Sequence, residues 1–417
     1  MNKEYTGTII VIPTRNRAAI AESAIRSVLQ QKRADTHILV SDNSTEPAEI
    51  ARLADFCQNL DPGLLHYTKP PTSLPMAPHW DWALHRAFEL YDCSHVTFLT
   101  DRMVFKPGAL AALAEIATQA PNQIISYMHD RIADNQRPVR LDQHPWSGKL
   151  YAVTAARLLE LSSQSVLHEM LPRMLNSLVP RQILGKLEHR YGKFFDSHAP
   201  DFNFCYRALE MEESIIFYDA ALLVHYALDR SNGALSSSGV TGADREDFIS
   251  DLTKARGYFA TPIPEILTAR NCVAHEYCVT REETQSAKFP PLERQSYLTA
   301  ISGEVNDMTN PQLKRELQEL LIASGLAKPG LLAQPKSLAQ KLVASNTLTR
   351  KLAREVRTRA SANGSVATKP PEFATFDAAF DYAIRRPRPR FESQPALEEM
   401  FGLVRLPLET PVATFES

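Results

Sequence analysis

The stretch Ile9-Ile10-Val11-Ile12-Pro13-Thr14-Arg15-Asn16-Arg17 decides the fold of the N-terminal region. Four consecutive apolar residues that end at a proline predict a short strand buried on both faces. Between Ala21 and Leu29, apolar residues recur at the spacing of one helix face, which predicts an amphipathic helix packed on a sheet. A buried strand, a polar loop and a packed helix are typical of the first unit of an α/β fold.

Further strand and helix signals follow in the same alternating order. Ile38–Val40 and Val96–Leu99 predict the second and third strands. A helix between them is expected to carry Trp80 on its apolar face, and Pro107 is expected at the first position of the next helix. Beyond it, the pattern predicts strands at Ile124–Tyr127, Gly148–Val153 and Leu222–Val224, a helical stretch from Leu167 to Tyr191, and a packed helix face formed by Leu313, Leu317, Leu320 and Leu321.

Polar residues follow each of the first three predicted strands. Asn16, Asp42 and Asp101 occupy these positions, and any one of them alone is most simply a loop cap or a turn former. In open parallel sheets, however, ligands bind at the carboxyl ends of the strands. Three such residues at one edge therefore predict a nucleotide site.

Composition excludes several classes of protein. The 417 residues contain 46 Lys and Arg against 48 Asp and Glu, so the net charge of −2 provides no general basic field for nucleic acid. The length predicts roughly two to three domains. Five scattered cysteines favour reduced thiols in a cytoplasmic protein over a disulfide framework. The first apolar run is too short for a signal peptide, and no run approaches the ~20 residues of a membrane span.

Three motifs in order resemble those of the family-2 glycosyltransferases. They are Ile12–Arg17, Val40–Ser44 and Phe98–Asp101, with Pro107 beyond them, and the resemblance covers residues 7–235. It implies a GT-A fold, which is a Rossmann-like α/β architecture with a mainly parallel sheet flanked by helices. We expect this domain over residues 1–240, a mainly helical extension over 241–335, and a basic helix, linker and C-terminal tail over 336–417.

The resemblance also implies a nucleotide-sugar donor, most commonly a UDP-sugar in this family. The family's first loop and the aspartate after the second strand hold the nucleobase and ribose, and a carboxylate is suited to accept hydrogen bonds from ribose hydroxyls. His79 is expected off the apolar face of its helix, within reach of the diphosphate or sugar. The donor-binding candidates are Pro13, Thr14, Arg15, Asn16, Arg17, Asp42, Asn43, His79 and Asp101.

The acidic motif of the family is altered in this chain. The family carries a D-x-D or similar cluster that binds a divalent cation, whereas this chain reads Asp101-Arg102-Met103 and contains no D-x-D. Asp101 and His225 are candidate ligands for Mg²⁺ or Mn²⁺, and the alternative for His225 is a purely structural histidine. Alternatively, Arg102 supplies the positive charge itself, or the pocket is degenerate and catalysis is lost. We expect partial metal dependence together with a strong contribution from Arg102.

Asp201 is the candidate catalytic base. The family places its catalytic aspartate at the start of a helix in this region, and Asp201 matches that position, although Pro200 stands where an acid is commoner. An inverting glycosyltransferase needs one carboxylate to take the proton from the attacking acceptor hydroxyl. The alternative is structural, because an aspartate in the first turn of a helix also favours the helix dipole.

The C-terminal third contains a strongly basic segment. Residues 336–369 hold eight Lys or Arg and one Glu, with leucines interleaved. A basic amphipathic helix favours peripheral contact with anionic lipid at the inner face of a membrane, where a lipid-linked acceptor would be found. The alternative is a solvated helix packed on its own domain. The expected acceptor is a glycan or a lipid-linked molecule.

Two other classes of function compete with glycosyl transfer. A nucleotidyltransferase also uses an α/β nucleotide site, but it carries a glycine-rich basic phosphate loop near the N-terminus, which this chain lacks. A non-catalytic nucleotide- or carbohydrate-binding protein would result if Arg102 marks lost metal chemistry. Hydrolysis of the donor without acceptor separates an active transferase from such a binding protein.

Overall fold

The computed structural model describes residues 4–143, 147–227, 259–324, 371–385, 397–398 and 401–407. Within these ranges, no helix is long and apolar enough to cross a membrane. The predicted basic segment at 336–369 and the predicted domain boundaries at 240 and 335 lie outside the described residues.

The N-terminal part forms the parallel half of a mixed sheet. Strands β1, β2, β3 and β4 run parallel in the order β3-β2-β1-β4, with β1 at the centre and buried along its whole length. The predicted first three strands and their helices are confirmed, whereas α2 and β3 are additional. The elements are β1 (Thr8–Thr14), α1 (Ala18–Leu29), β2 (Thr36–Asp42), α2 (Pro47–Gln58), β3 (Leu65–Thr68), α3 (Met76–Leu90) and β4 (His95–Phe98).

The second half of the sheet is largely antiparallel. Strand β9 lies antiparallel between β4 and β6, and β10 runs parallel to β6 but antiparallel to β8. The sheet is therefore mixed, with its parallel strands flanked by helices as in a GT-A fold. Its elements are β5 (Met103–Phe105), α4 (Ala109–Gln119), β6 (Ile125–Ala133), β7 (Val139–Asp142), β8 (Leu150–Thr154), α5 (Ala155–Ser163), β9 (Ser177–Pro180), α6 (Arg181–Tyr191), α7 (Pro200–Met211) and β10 (Ser214–His225).

Two sequence predictions in this half are wrong. The stretch from Leu167 to Tyr191 is not one helix, since it contains a loop, a 3₁₀ turn at Met174–Asn176, strand β9 and only then α6. Prolines inside the stretch disfavour a continuous helix. Pro107 does not open α4 either, because Gly108 precedes the helix with a φ of 75°, a left-handed conformation that suits glycine.

The C-terminal region is mainly helical, as predicted, and it packs on the sheet domain. Val273 and Tyr277 join the main hydrophobic core, and the Tyr277 ring meets Tyr206 of α7 at 5.3 Å. Leu320 is not part of the packed face, since 37% of it is exposed, whereas Leu317 and Leu321 are buried. The elements are α8 (Ala269–Thr284), α9 (Arg294–Asp307), α10 (Pro311–Ala323), β11 (Glu372–Phe373), α11 (Phe376–Arg385) and β12 (Val404–Arg405).

Candidate active site

The carboxyl ends of β1 and β4 bring three of the predicted site residues together. Thr14 Oγ1 donates to Asp101 Oδ2 at 2.8 Å, and Arg17 Nη1 donates to Asp101 Oδ1 at 3.3 Å. The Asp101 side chain is 3% exposed, so this pair is far less screened by water than a surface ion pair. The expectation that the polar loops after these strands share one edge of the sheet is confirmed.

Asp42, the last residue of β2, and Asn43, which follows it, are both buried. Asp42 is fully buried, with Oδ1 accepting from the Ser44 backbone N–H at 2.9 Å and Oδ2 accepting from the Tyr67 hydroxyl at 2.7 Å. Asn43 makes a double hydrogen bond to the backbone of Leu74. These contacts fix the shape of the loop, and nucleotide binding by Asp42 remains a prediction.

Asn16 ties the first loop to the loop after β2. Its backbone adopts a φ of 53°, and its side-chain oxygen accepts from the backbone N–H groups of Thr45 and Glu46 at 2.9 and 3.0 Å. Its own backbone N–H donates to Ser44 Oγ at 2.7 Å. Pro13 is buried in β1 beside this loop, and Arg15 is half-buried. Asn16 thus holds the first loop in place.

His79 does not lie off the apolar face of its helix as predicted. It is buried, and its Nε2 lies 2.8 Å from Ser41 Oγ at the end of β2. Burial lowers the pKa of His79 to about 4, so the ring is neutral at pH 7 and supplies no positive charge for a diphosphate. Its place beneath the loop after β2 makes it a support for that loop.

Arg102 lies between the two predicted metal ligands. Its Nη1 donates to His225 Nε2 at 2.8 Å, and its Nε lies 4.0 Å from Asp101 Oδ1. Burial and the Arg102 charge lower the pKa of His225 well below its usual range, so the imidazole is neutral and accepts this hydrogen bond. The Arg102 side chain is 13% exposed, so its charge is partly accessible to solvent.

The described residues do not fit a divalent cation held by Asp101 and His225. Both oxygens of Asp101 accept hydrogen bonds, from Thr14 and Arg17, and the lone pair of His225 Nε2 faces Arg102. Hard cations require several oxygen ligands. No group of three or more His, Cys, Asp or Glu side chains suitable for a metal occurs in the part of the chain that the structure describes.

A row of polar side chains that the sequence reasoning missed continues from His225 toward α7. The ring of His129 on β6 lies 5.9 Å from that of His225, and its Nδ1 is 3.0 Å from Glu169 Oε2. The same Glu169 oxygen accepts from Arg173 Nη2 at 2.6 Å. Burial alone would raise the pKa of Glu169, but the Arg173 charge and then His129 hold it well below its usual range. Glu169 is therefore a carboxylate at neutral pH.

Asp201 stands at the end of this row, in the first turn of α7. The Arg173 guanidinium lies 5.5 Å from the ring centre of the adjacent Phe202. Burial raises the pKa of Asp201, while the Arg173 charge and the backbone N–H groups of Phe202 and Asp201 offset part of that rise. The predicted position of Asp201 at the start of a helix is confirmed, and a carboxylate of raised basicity is suited to accept a proton.

The family model described as Glycosyl transferase family 2 matches residues 9–171 of this chain. The chain has no match among curated proteins. Among solved structures, residues 1–349 of TarS from S. aureus in complex with UDP-GlcNAc are 14% identical, with a TM-score of 0.43 and coverage of 77% of this chain and 88% of that chain. A longer S. aureus TarS structure is 13% identical, with a TM-score of 0.42 and coverage of 77% of this chain and 54% of that chain. The family match confirms that residues 9–171 of this chain resemble a family 2 glycosyl transferase.

Proposed function

We propose that this protein is an inverting glycosyltransferase that moves a sugar from a nucleotide-sugar donor, a UDP-sugar first, to an acceptor hydroxyl of a glycan or a lipid-linked molecule. The family match supports the reaction class. One observation carries the assignment of roles. Asp201, whose pKa is raised, and the partly buried Arg102 lie near the two ends of the row of polar side chains that runs through His225, His129, Glu169 and Arg173.

The reaction assigns a separate role to each end of this row. Glycosyl transfer passes through an oxocarbenium-like state, so the acceptor hydroxyl must lose its proton as it attacks the anomeric carbon. Asp201 takes that proton, and its raised pKa makes it a stronger base than an exposed aspartate. The C–O bond to the donor breaks at the same centre, and the electron pair leaves with the nucleoside diphosphate.

The leaving diphosphate needs its developing negative charge stabilised. Arg102 serves this purpose because a planar guanidinium can bind two phosphate oxygens at once, and its partial burial strengthens the attraction. His225 accepts one Arg102 N–H and thereby orients the guanidinium. Since Asp101 and His225 are engaged with arginines, we assign this electrostatic role to Arg102 and propose no step through a metal ion.

The donor nucleotide is expected to bind in the loops after β1 and β2, and Asp42 provides the test. Asp42→Ala should weaken nucleoside diphosphate binding by about 1–3 kcal/mol, the cost of losing a hydrogen bond to a charged group. Tyr67→Phe is the matched control, because it removes only the internal partner of Asp42. Calorimetric titration measures the affinity of both variants for UDP. Asp42 does not bind the nucleotide if UDP affinity is weakened equally in the two variants. The same conclusion follows if UDP affinity is unchanged in a folded Asp42→Ala protein.

A further inference from the structure

The N-cap residue of α7, the helix that carries Asp201, provides no side-chain hydrogen bond. Ala199 stands at the N-cap position and makes no side-chain hydrogen bond. The first backbone N–H groups of a helix have no partner within the helix. Ser197, two residues earlier, has a φ of 70°, so the segment 196–200 enters the helix through an unusual backbone conformation. The two backbone N–H groups just before the helix, those of His198 and Ala199, find their partner outside it.

Glu276 of α8 supplies that partner from the C-terminal helical region. It is fully buried, and its Oε1 accepts from the backbone N–H groups of His198 and Ala199, each at 2.9 Å. Its Oε2 lies 3.4 Å from Asn203 Nδ2, and the Asn203 oxygen in turn accepts from the Asp196 backbone N–H at 3.2 Å. The Glu276 carboxylate thus holds the segment immediately before Asp201 directly at His198 and Ala199, and at Asp196 through Asn203.

The neighbouring His275 fixes the same segment and has no catalytic arrangement with Ser197. His275 Nδ1 accepts from the Ala260 backbone N–H at 2.8 Å, which leaves the proton of a neutral ring on Nε2. Nε2 lies 3.3 Å from Ser197 Oγ and therefore donates to it. A donating imidazole cannot activate the serine hydroxyl as a nucleophile. His275 and Ser197 therefore help to position the backbone of this segment.

We propose that Glu276 is a positioning residue for glycosyl transfer, which holds the start of α7 so that the Asp201 carboxylate meets the acceptor hydroxyl. The proposal rests on the proposed function for its catalytic consequence. It also assigns a role to α8, which lies beyond the segment that resembles family 2. A displacement of about 1 Å at a reacting group can cost about a hundredfold in rate.

The electrostatics of Glu276 agree with this role. Burial raises its pKa to about 7, and the backbone N–H groups of Ala199 and His198, with Ser197 and Asn203, offset part of the rise. The titratable groups around Glu276 include Tyr206 of α7, Cys272 and His275 of α8, and His198 before α7. Burial raises the pKa values of Tyr206 and Cys272, so both are neutral. Ionised Glu276 makes the stronger hydrogen bonds to the two backbone N–H groups. The segment is therefore held most firmly above pH 7.

The test compares Glu276→Gln and Glu276→Asp with the wild-type chain. Gln keeps one acceptor but loses the charge, and Asp keeps the charge but is one methylene too short to reach the backbone. Both variants should lower kcat by about 10- to 100-fold while the donor KM stays close to that of the wild type. Glu276→Gln should also remove the inflection near pH 7 from the kcat profile. Glu304→Gln is the control, because Glu304 accepts from the backbone N–H of Arg270 in the first turn of α8, whereas Glu276 accepts from the segment 196–200.

Amide hydrogen exchange provides a readout that does not depend on activity. Peptides that cover residues 196–203 should exchange faster in both Glu276 variants and remain as protected as the wild type in Glu304→Gln. Unchanged exchange in these peptides overturns the proposal, as does an unchanged kcat and pH profile in an active enzyme. A wild-type chain that transfers no sugar overturns the proposed function instead, while the exchange result still decides whether Glu276 holds the segment.

Discussion

Asp201→Asn is expected to reduce turnover by about 10²–10⁴-fold while the affinity for the donor stays near that of the wild type. Asparagine preserves the shape of the side chain but cannot accept the proton of the acceptor hydroxyl. Burial raises the pKa of Asp201 in the folded protein, so the folded state binds its proton more readily than the unfolded chain. Ionisation of Asp201 consequently costs stability at neutral pH, and the neutral asparagine should not unfold the protein.

Asp196→Asn is the matched control for this experiment. Asp196 lies five positions earlier, is half-buried, and accepts from the Ser197 backbone N–H at 2.8 Å. Single-turnover kinetics should show normal donor binding and a slow chemical step only in Asp201→Asn. In the wild type, the rate should fall as the pH drops through the raised pKa of Asp201, because the protonated carboxyl is no base. Near wild-type turnover in Asp201→Asn would transfer the role of base to Asp196.

Arg102→Ala is expected to reduce turnover by about 10²–10³-fold, the cost of removing one donor that stabilises a developing negative charge. Turnover of the wild type should largely survive EDTA, because the two predicted metal ligands are already engaged with Arg17 and Arg102. Arg102→Lys should rescue poorly, since a lysine is a point charge and cannot make the two-pronged contact of a guanidinium. The steady-state rate of UDP release, with and without EDTA, is measured for the wild type and for the two Arg102 variants.

Arg131→Ala is the control for loss of a nearby positive charge. Arg131 pairs with His225 in the sheet register and is exposed, whereas Arg102 contacts the His225 ring directly. The Arg131→Ala variant should therefore keep most of the activity. If EDTA abolished transfer, stabilisation of the leaving diphosphate would be assigned to a metal ion. Full activity of Arg102→Ala in EDTA would exclude both interpretations and move the role to Arg15 or Arg17.

The parallel half of the sheet could be predicted from the sequence because its signals are local. The apolar run Ile9–Ile12 and the helix-spaced residues that follow it report burial directly, and the structure places both as expected. The pattern around Leu167–Tyr191 was misleading, because a fully buried strand such as β9 and a buried helix have similar apolar composition. Strand β9 is recognised by its pairing with β4 and β6, which is a property of the tertiary structure.

The positions of individual site residues can be predicted where they follow a strand or begin a helix. Asp101 and Asp201 belong to this group, and both lie where the sequence placed them. The sequence does not reveal the contacts among His129, Glu169 and Arg173, because these contacts form only when the loop before β9 folds back against β6. The charged residues of that loop, together with Pro172, were the available signal that it is not a helix. Glu276 could not be predicted as a partner of α7, since 73 to 78 residues separate it from the groups it contacts.

The measurement that most directly tests the central claim is the release of nucleoside diphosphate from a panel of nucleotide-sugars, with hydroxyl acceptors present and the anomeric configuration of the product followed by NMR. The account predicts release from at least one UDP-sugar by the wild-type chain, inversion at the anomeric carbon, and loss of transfer in Asp201→Asn. Failure of every nucleotide-sugar to bind the folded wild-type chain, or retention of configuration in the product, would contradict it.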